Sequence, residues 1–234
     1  MRIDIITLFP ELFEGLKTHS IVGRAIGNGK IELATHNLRD WAGDKYKSVD
    51  DHPYGGGPGM VLRFDVLFNA LRDVKSILKS QISNSQIKTI LLTPQGQVYK
   101  QKMAQDLAKE TNLILICGHY EGFDERIRDY VDMEISIGDY ILTGGELPAM
   151  VIADSVTRLI PGVLGDDSSS QDESHTDGML EYPHYTRPEE FEGKRVPEIL
   201  LGGNHKAIDA WRRERAEERT RERRPDLLSD IKAE

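Results

Sequence analysis

Short, almost uninterrupted apolar runs recur along this chain, and they dictate a parallel sheet. Ile90-Leu91-Leu92 and Leu113-Ile114-Leu115-Ile116 lack the polar alternation of a strand with one face in water. Strands of that composition are buried on both faces, between helices packed above and below. The strand-like runs are Ile3–Leu8, Lys30–Thr35, Lys88–Thr93, Leu113–Cys117 and Asp132–Ile137. Helical stretches fall between them at Glu11–Leu16, Phe64–Leu78, Tyr99–Glu110, Asp124–Tyr130 and Glu146–Leu159. Alternating β and α elements predict an α/β fold with a parallel sheet flanked by helices. In such folds ligands bind beyond the carboxyl ends of the strands.

Three glycine-bearing loops follow those strand ends. They are Thr93-Pro94-Gln95-Gly96, Gly118-His119-Tyr120-Glu121-Gly122, and the stretch Ser136–Pro148, which reads as a short strand, a Gly-Gly loop and a helix start near Glu146. Gly138, Gly144 and Gly145 permit positive φ or close approach of backbone to a ligand. The reading is a ligand-cradling loop; a tight strand-to-helix connection is the plain alternative. None of the loops matches the dinucleotide or P-loop fingerprints. A nucleotide-like ligand held mainly by backbone groups fits them better. A fourth glycine-rich piece, Pro53–Met60, follows the polar run Ala42–His52. It is either a flexible connector or a shaped loop that admits a flat substrate.

Composition narrows the class. At 234 residues the chain suits one large domain, or one domain and a small one. There is no run of 18 apolar residues, and Met1–Pro10 reads as a first strand rather than a signal peptide. A cytoplasmic location without membrane attachment is expected. Cys117 is the single cysteine, so an internal disulfide or a cysteine-based zinc site within one chain is excluded. A net charge of -9 argues against indiscriminate coating of nucleic acid. Yet His205–Arg224 holds eight Lys or Arg against five Asp or Glu. That helix is either self-paired or a phosphate-binding face, and Trp211 beside Arg212 and Arg213 favours the second. From Pro161 the composition shifts, and Gly165–Ser174 is nearly devoid of apolar residues, as a flexible linker would be. The expected plan is residues 1–160, an acidic linker over 161–176, and a helical domain over 177–234.

Six segments in one order carry a resemblance: PYGGGPGM (Pro53–Met60), LTPQG (Leu92–Gly96), CGHYEGFDER (Cys117–Arg126), SIGDYILTGGELPAM (Ser136–Met150), IPGVLG (Ile160–Gly165) and PHYTRP (Pro183–Pro188). The chain resembles the bacterial tRNA (guanine-N1-)-methyltransferases, the TrmD type of the SPOUT superfamily, from its first strand to Arg224-Pro225. The resemblance implies a SPOUT-type parallel sheet with a deep trefoil knot, and a small helical C-terminal domain that binds tRNA. It implies methyl transfer from S-adenosylmethionine to N1 of guanosine at position 37 of tRNA, next to the anticodon and after another guanosine, which helps maintain the reading frame. It also implies a homodimer with active sites at the subunit interface, and a reaction that can use Mg2+. No metal ligand set is carried over.

By the same resemblance the donor is held by Leu91, Leu92, Thr93 and Pro94, by Gly118, Tyr120, Glu121 and Gly122, and by Ser136, Ile137, Gly138, Asp139, Tyr140, Ile141, Leu142, Gly144, Gly145 and Pro148. Leu92, Ile137 and Leu142 would sandwich the adenine, while Glu121 would position the methionine amine or help hold Mg2+. Tyr54, Gly55, Pro58, Gly59, His184, Arg187, Trp211 and Arg212 are the expected tRNA contacts. Guanine N1 is protonated at neutral pH, so methylation needs a general base. Charge developing on O6 calls for a cationic partner. The resemblance implies that Arg158 is that partner and that a linker carboxylate is the base. The family usually reads Asp-Ser at this point, whereas this chain reads Asp172-Glu173-Ser174. Gapless alignment between Gly165 and Gly178 puts Glu173 on the catalytic position, with Asp172 the substitute if the linker shifts by one. The chain also stops soon after Arg224-Pro225, where many family members have a longer last helical segment. A methyltransferase for another RNA position would share the knot loops but not PYGGGPGM and PHYTRP. A non-catalytic RNA binder would need only the basic helix.

Overall fold

The computed structural model describes residues 1–81, 86–165, 173–176 and 178–230. It divides into two compact units, Met1–Gly165 and Asp166–Glu234. In chain order the first unit contains β1 (Arg2–Thr7), α1 (Glu14–Thr18), α2 (Ser20–Gly27), β2 (Glu32–Asn37), β3 (Asp50–Asp51), β4 (Val61–Leu62), α3 (Phe64–Gln81), β5 (Ile87–Val98), α4 (Gln101–Leu107), β6 (Asn112–Cys117), β7 (Met133–Ser136) and α5 (Glu146–Thr157).

The apolar run at Leu113 becomes β6, the middle of a five-stranded sheet ordered β2-β1-β6-β5-β7. All six of its residues are buried, and all four pairings in the sheet are parallel. Alternation along β6 divides the core in two. Leu113, Leu115 and Cys117 face a layer shared with residues of α2, α4 and α5, while Ile114 and Ile116 face α3. Each such side chain contributes roughly 1.5–3 kcal/mol when fully buried. That is why the strand runs apolar without interruption.

The expected sheet is therefore present, with strand ends within a few residues of those read from sequence. The first helix differs. Pro10–Phe13 form a 3-10 turn that leads into α1, and α2 follows at once, where no helix was read. Two glycines depress the helical signal of α2. Gly23 is required by packing: a Cβ there would stand 2.6 Å from the Thr18 carbonyl carbon at the end of α1. The strand read as Lys88–Thr93 also runs on to Val98. Ile135 of β7 pairs with both Leu92 and Gln97, so residues 93–96 leave the ladder and rejoin it. Gly96 makes this possible, because a Cβ there would lie 2.5 Å from the backbone of Glu134 and Ile135.

The glycine-rich loop after β2 is tied at its base. Asp50–Asp51 and Val61–Leu62 pair antiparallel, and Val49 beside them is fully buried. In the second unit β8 (Glu190–Phe191) and β9 (Lys194–Arg195) form a small hairpin ahead of α6 (His205–Arg223) and α7 (Pro225–Asp230). The Asn204 side chain caps α6 by accepting from Ala207 N–H. Segment 179–182 lies along α6: Leu180 N–H donates to Thr220 Oγ1 at 2.9 Å, and Arg219 donates to Glu181 O at 3.3 Å. Of the acidic linker, residues 166–172 lie outside the described residues, and Asp172 is among them.

Candidate active site

The carboxyl ends of β5, β6 and β7 open onto one cavity of about 490 Å³, inside the size range of small-molecule sites. Its wall is made of the 93–96 excursion, the loop after Cys117 and the 137–145 loop. Leu92, Thr93, Pro94, Gly118, Tyr120, Glu121, Gly122, Ser136, Ile137, Gly138, Tyr140, Ile141, Leu142, Gly144, Gly145 and Pro148 all line it. Leu91 and Asp139 do not. Leu91 sits on the opposite face of β5, in the core against α3. Asp139 is exposed, off the cavity wall.

The glycines of the 137–145 loop act in two ways. Gly138 has φ +152, a conformation L side chains rarely adopt, and its N–H and C=O both bond Ser136 Oγ. Gly145 has an ordinary φ of -85, but a Cβ on it would stand 2.6 Å from Cys117 Cα. It is glycine because the loop is pressed onto the end of β6, where its N–H donates to Gly118 O at 2.8 Å. A Cβ on Gly144 would collide with the Glu146 carboxylate. That carboxylate is buried at the start of α5, where the helix dipole favours an anion, and it accepts from Thr7 Oγ1 at 2.7 Å.

The 118–122 loop is strained and tied down. Tyr120 is left-handed at φ +59, rare for a bulky residue and a pointer to function. Glu121 N–H donates to Met60 O at 2.9 Å, and Gly122 O accepts from Leu62 N–H at the same distance. The Glu121 side chain lies against Gly59, in space a Cβ would need. The glycine-rich 53–60 loop thus borders the cavity. Gly55, Gly56, Gly57 and Gly59 in it all have positive φ, Pro58 is exposed, and Tyr54 is fully exposed.

Sequence reasoning missed several wall residues. Arg128 is held by Glu134, by Glu125 at 2.9 Å and by Gln95 Oε1 at 2.6 Å, so it braces the 93–96 excursion against β7. His119 Nδ1 is buried and has no hydrogen-bond partner among the described residues. The spacing of Glu125, Arg128 and Glu134 was the available signal for the first; nothing distinguished His119. The wall is largely uncharged. Cys117 beneath it is no nucleophile, because burial, aided by Glu146, pushes its thiol well above the usual value. The wall could hold S-adenosylmethionine: Leu92, Ile137 and Leu142 offer apolar faces for a flat base, the loops offer backbone groups for its edge, and Glu121 offers a carboxylate for an amine. Among the described residues no group of three or more His, Cys, Asp or Glu could hold a metal ion.

Arg158 is half-buried at the carboxyl end of α5, its N–H on Asp154 O at 3.1 Å. In the second unit, Glu173, Tyr182, Arg212 and Arg213 share a hollow of about 540 Å³. The Arg212 guanidinium lies 4.8 Å over the Tyr182 ring, and His184 bonds Glu181 at 3.1 Å. Trp211 packs near Tyr185, with ring centroids 6.4 Å apart. Arg187 is exposed. On α6, Arg212, Arg213 and Arg215 each pair with a helix carboxylate. Such exposed pairs are worth 0–1 kcal/mol, little enough for a phosphate to replace them.

The family described as tRNA (Guanine-1)-methyltransferase TrmD matches residues 1–230. A relative from Staphylococcus carnosus named tRNA (guanine-N(1)-)-methyltransferase is 53% identical over 230 residues, 98% of this chain and 91% of its own. A relative of the same name from Dehalococcoides mccartyi is 53% identical over 232 residues, 99% of this chain and 92% of its own. One from Staphylococcus aureus is 52% identical over 229 residues, 97% and 91% of the two chains. With these matches across nearly its whole length, the chain belongs to the tRNA (guanine-1)-methyltransferase family.

Proposed function

We propose that this chain transfers the methyl group of S-adenosylmethionine to N1 of guanosine at position 37 of tRNA, and so helps maintain the reading frame. The observation that carries the reading is the cavity over β5, β6 and β7, walled by glycine loops and apolar side chains in a chain of this family. A bound methyl sulfonium supplies an electrophilic carbon, which leaves the protein the tasks of alignment and proton removal. Leu92, Ile137 and Leu142 hold the flat base of the donor, and the 53–60 loop admits guanine beside it. Glu173 takes the N1 proton as the N1 electron pair bonds to the methyl carbon and sulfur keeps the pair of the broken bond. Arg158 offsets the charge that grows on O6. Glu121 would position the methionine amine or help hold Mg2+ where the reaction uses it.

Three structural features accompany this reading. The 137–145 loop belongs to a trefoil knot, which the contact-tight Gly145 seat supports. Residues 177–234 act as the tRNA-binding domain, supported by the arginines of α6. The enzyme works as a homodimer with its active sites at the interface. Exposed Leu147 (57%) and Val151 (44%), one turn apart on α5, support this, as does Ile141 (80%) in the cavity loop. No helix among the described residues is long and apolar enough to cross a membrane, in keeping with work in the cytoplasm on tRNA.

Labelled S-adenosylmethionine with unmodified tRNA tests the proposal. Label on tRNA carrying guanosine at position 37, mapped to N1 and absent from a matched adenosine form, is the expected result. Label on neither, with the donor still bound, would overturn the substrate assignment.

A further inference from the structure

On the sheet face away from α5, α3 carries a stripe that the donor cavity does not use. Phe68, Arg72, Lys75 and Lys79 recur at helical spacing along it. With Tyr130 they line a hollow of about 390 Å³. Lys75 Nζ donates to Tyr130 O at 3.0 Å, and among the described residues neither Lys75 nor Lys79 forms an ion pair. The carboxylates nearby are exposed or half-exposed partners that a phosphate can replace: Asp124 pairs with Arg126 at 2.7 Å, and Asp132 attracts Lys75. Asp73 accepts from Trp41 Nε1 at 3.0 Å and pairs with Arg72, and Asp132 accepts from Thr89 N–H.

The stripe continues toward the active site. Phe68 stands 5.6 Å from Phe64 and 4.9 Å from Tyr130, and the Arg126 guanidinium lies 4.7 Å over Phe64. Arg126 and Tyr130 belong to the 3-10 turn Glu125–Tyr130, whose Glu125 and Arg128 line the donor cavity. From Phe64 to Lys79 the track is about 22 Å long, at 1.5 Å per helical residue. Cations interleaved with half-exposed aromatic rings suit a ribose-phosphate strand: phosphates take the cations and sugar or base faces take the rings.

We infer that the Arg126–Phe64–Phe68–Tyr130–Arg72–Lys75–Lys79 track is a second RNA-binding surface, one that grips the tRNA backbone outside the target nucleotide. It rests on the reading of tRNA as substrate. In a chain of net charge -9, such a local track supplies attraction that the average charge does not.

Charge reversal at the outer end tests it. R72E/K79E is compared with K102E/K109E, which changes the net charge equally on α4, where both lysines pair with Asp106. Full-length protein and tRNA are titrated by fluorescence anisotropy at 50 and 200 mM salt, with donor binding followed by calorimetry. Two lost phosphate contacts remove about tenfold of the wild-type affinity difference between those salts. The expected result is that loss in R72E/K79E, with KM for tRNA raised, donor affinity unchanged and K102E/K109E like wild type. Unchanged tRNA affinity in R72E/K79E, or an equal loss in both variants, would overturn the track. Wild-type protein that neither binds nor methylates tRNA would instead overturn the functional reading beneath it.

Discussion

Replacing Gly145 by alanine isolates how tightly the cavity loop is seated. At φ -85 and ψ -1 the backbone is open to any residue, so no conformational strain enters. What enters is contact: the new methyl stands 2.6 Å from Cys117 Cα and from Gly118 N, and ordinary contact begins at 3.4 Å. The loop must retreat about 0.8 Å, which stretches the 2.8 Å bond from Gly145 N–H to Gly118 O beyond hydrogen-bond range. Both neighbours are backbone at the carboxyl end of β6, the central strand of the sheet, and cannot give way. Overpacking costs about 1–3 kcal/mol and a lost bond about 1 kcal/mol. At 2–4 °C per kcal/mol for a chain of this size, Tm falls by roughly 4–16 °C. Displacement of that size in a positioning loop costs up to about a hundredfold in methyl transfer. Calorimetry for Tm and for donor affinity checks both. Gly15→Ala is the control, since nothing lies within 4 Å of its Cβ. Exposed in the first turn of α1, it stabilises by at most about 0.5–1 kcal/mol. Gly145→Ala protein that melts and binds donor like wild type would refute the seating argument.

Three further outcomes are expected. Glu173→Gln lowers methyl transfer by about 10²–10⁴-fold, as loss of a general base does, while Asp172→Asn stays near wild type; the reverse pattern would move the base by one residue. Leu147→Glu with Val151→Glu gives a monomer by light scattering and abolishes transfer if the sites need the interface, whereas an active monomer would end that part of the proposal. Buried Asp4 is held by Arg2 at 2.8 Å and His36 at 2.7 Å. Burial alone would raise its carboxyl, but these bonds and the Arg2 charge outweigh it and hold the group below 3.8. A depressed carboxylate adds stability above its unfolded value and loses it as pH falls through the folded one. Asp4→Asn therefore destabilises by about 3–5 kcal/mol at pH 7, and urea melts show the gap closing below about pH 4.

The sheet was legible because its signal is thermodynamic: a strand buried on both faces has no polar position, so β6 and the start of β5 stand out in the sequence. Glycine density marked the cavity for a similar reason, since each glycine there answers a positive φ or a close approach. What escaped depends on contacts between distant segments. The helical state of α2 relies on Gly23 fitting against Thr18. The return of residues 97–98 to the ladder relies on Gly96 crossing β7. Arg128 is a wall residue only because Glu125, Glu134 and Gln95 converge on it. Local pattern carries none of that beyond the spacing of Glu125, Arg128 and Glu134. Between a self-paired α6 and a phosphate-binding one, the pattern left both open; the helix has its pairs, and they are weak enough to exchange.

The same distribution of charge separates the two binding steps. Around the donor the wall is mostly loop backbone and apolar side chains, Glu121 is its one carboxylate proposed to meet the ligand, and Arg128 is already neutralised by its carboxylate partners. Coulomb attraction thus contributes little to donor affinity, and ionic strength has little to screen. At the proposed RNA surfaces the reverse holds, because Arg212, Arg213, Lys75 and Lys79 would act through charge at exposed or half-exposed positions. Raising salt from 50 to 200 mM should leave the donor Kd within about twofold while tRNA affinity falls by orders of magnitude for several phosphate contacts. Methyl transfer at limiting tRNA then declines with salt through KM for tRNA alone. A donor Kd that weakened in parallel would mean that the cavity holds its ligand mainly by ion pairing, beyond the single pair that Glu121 offers to the amine.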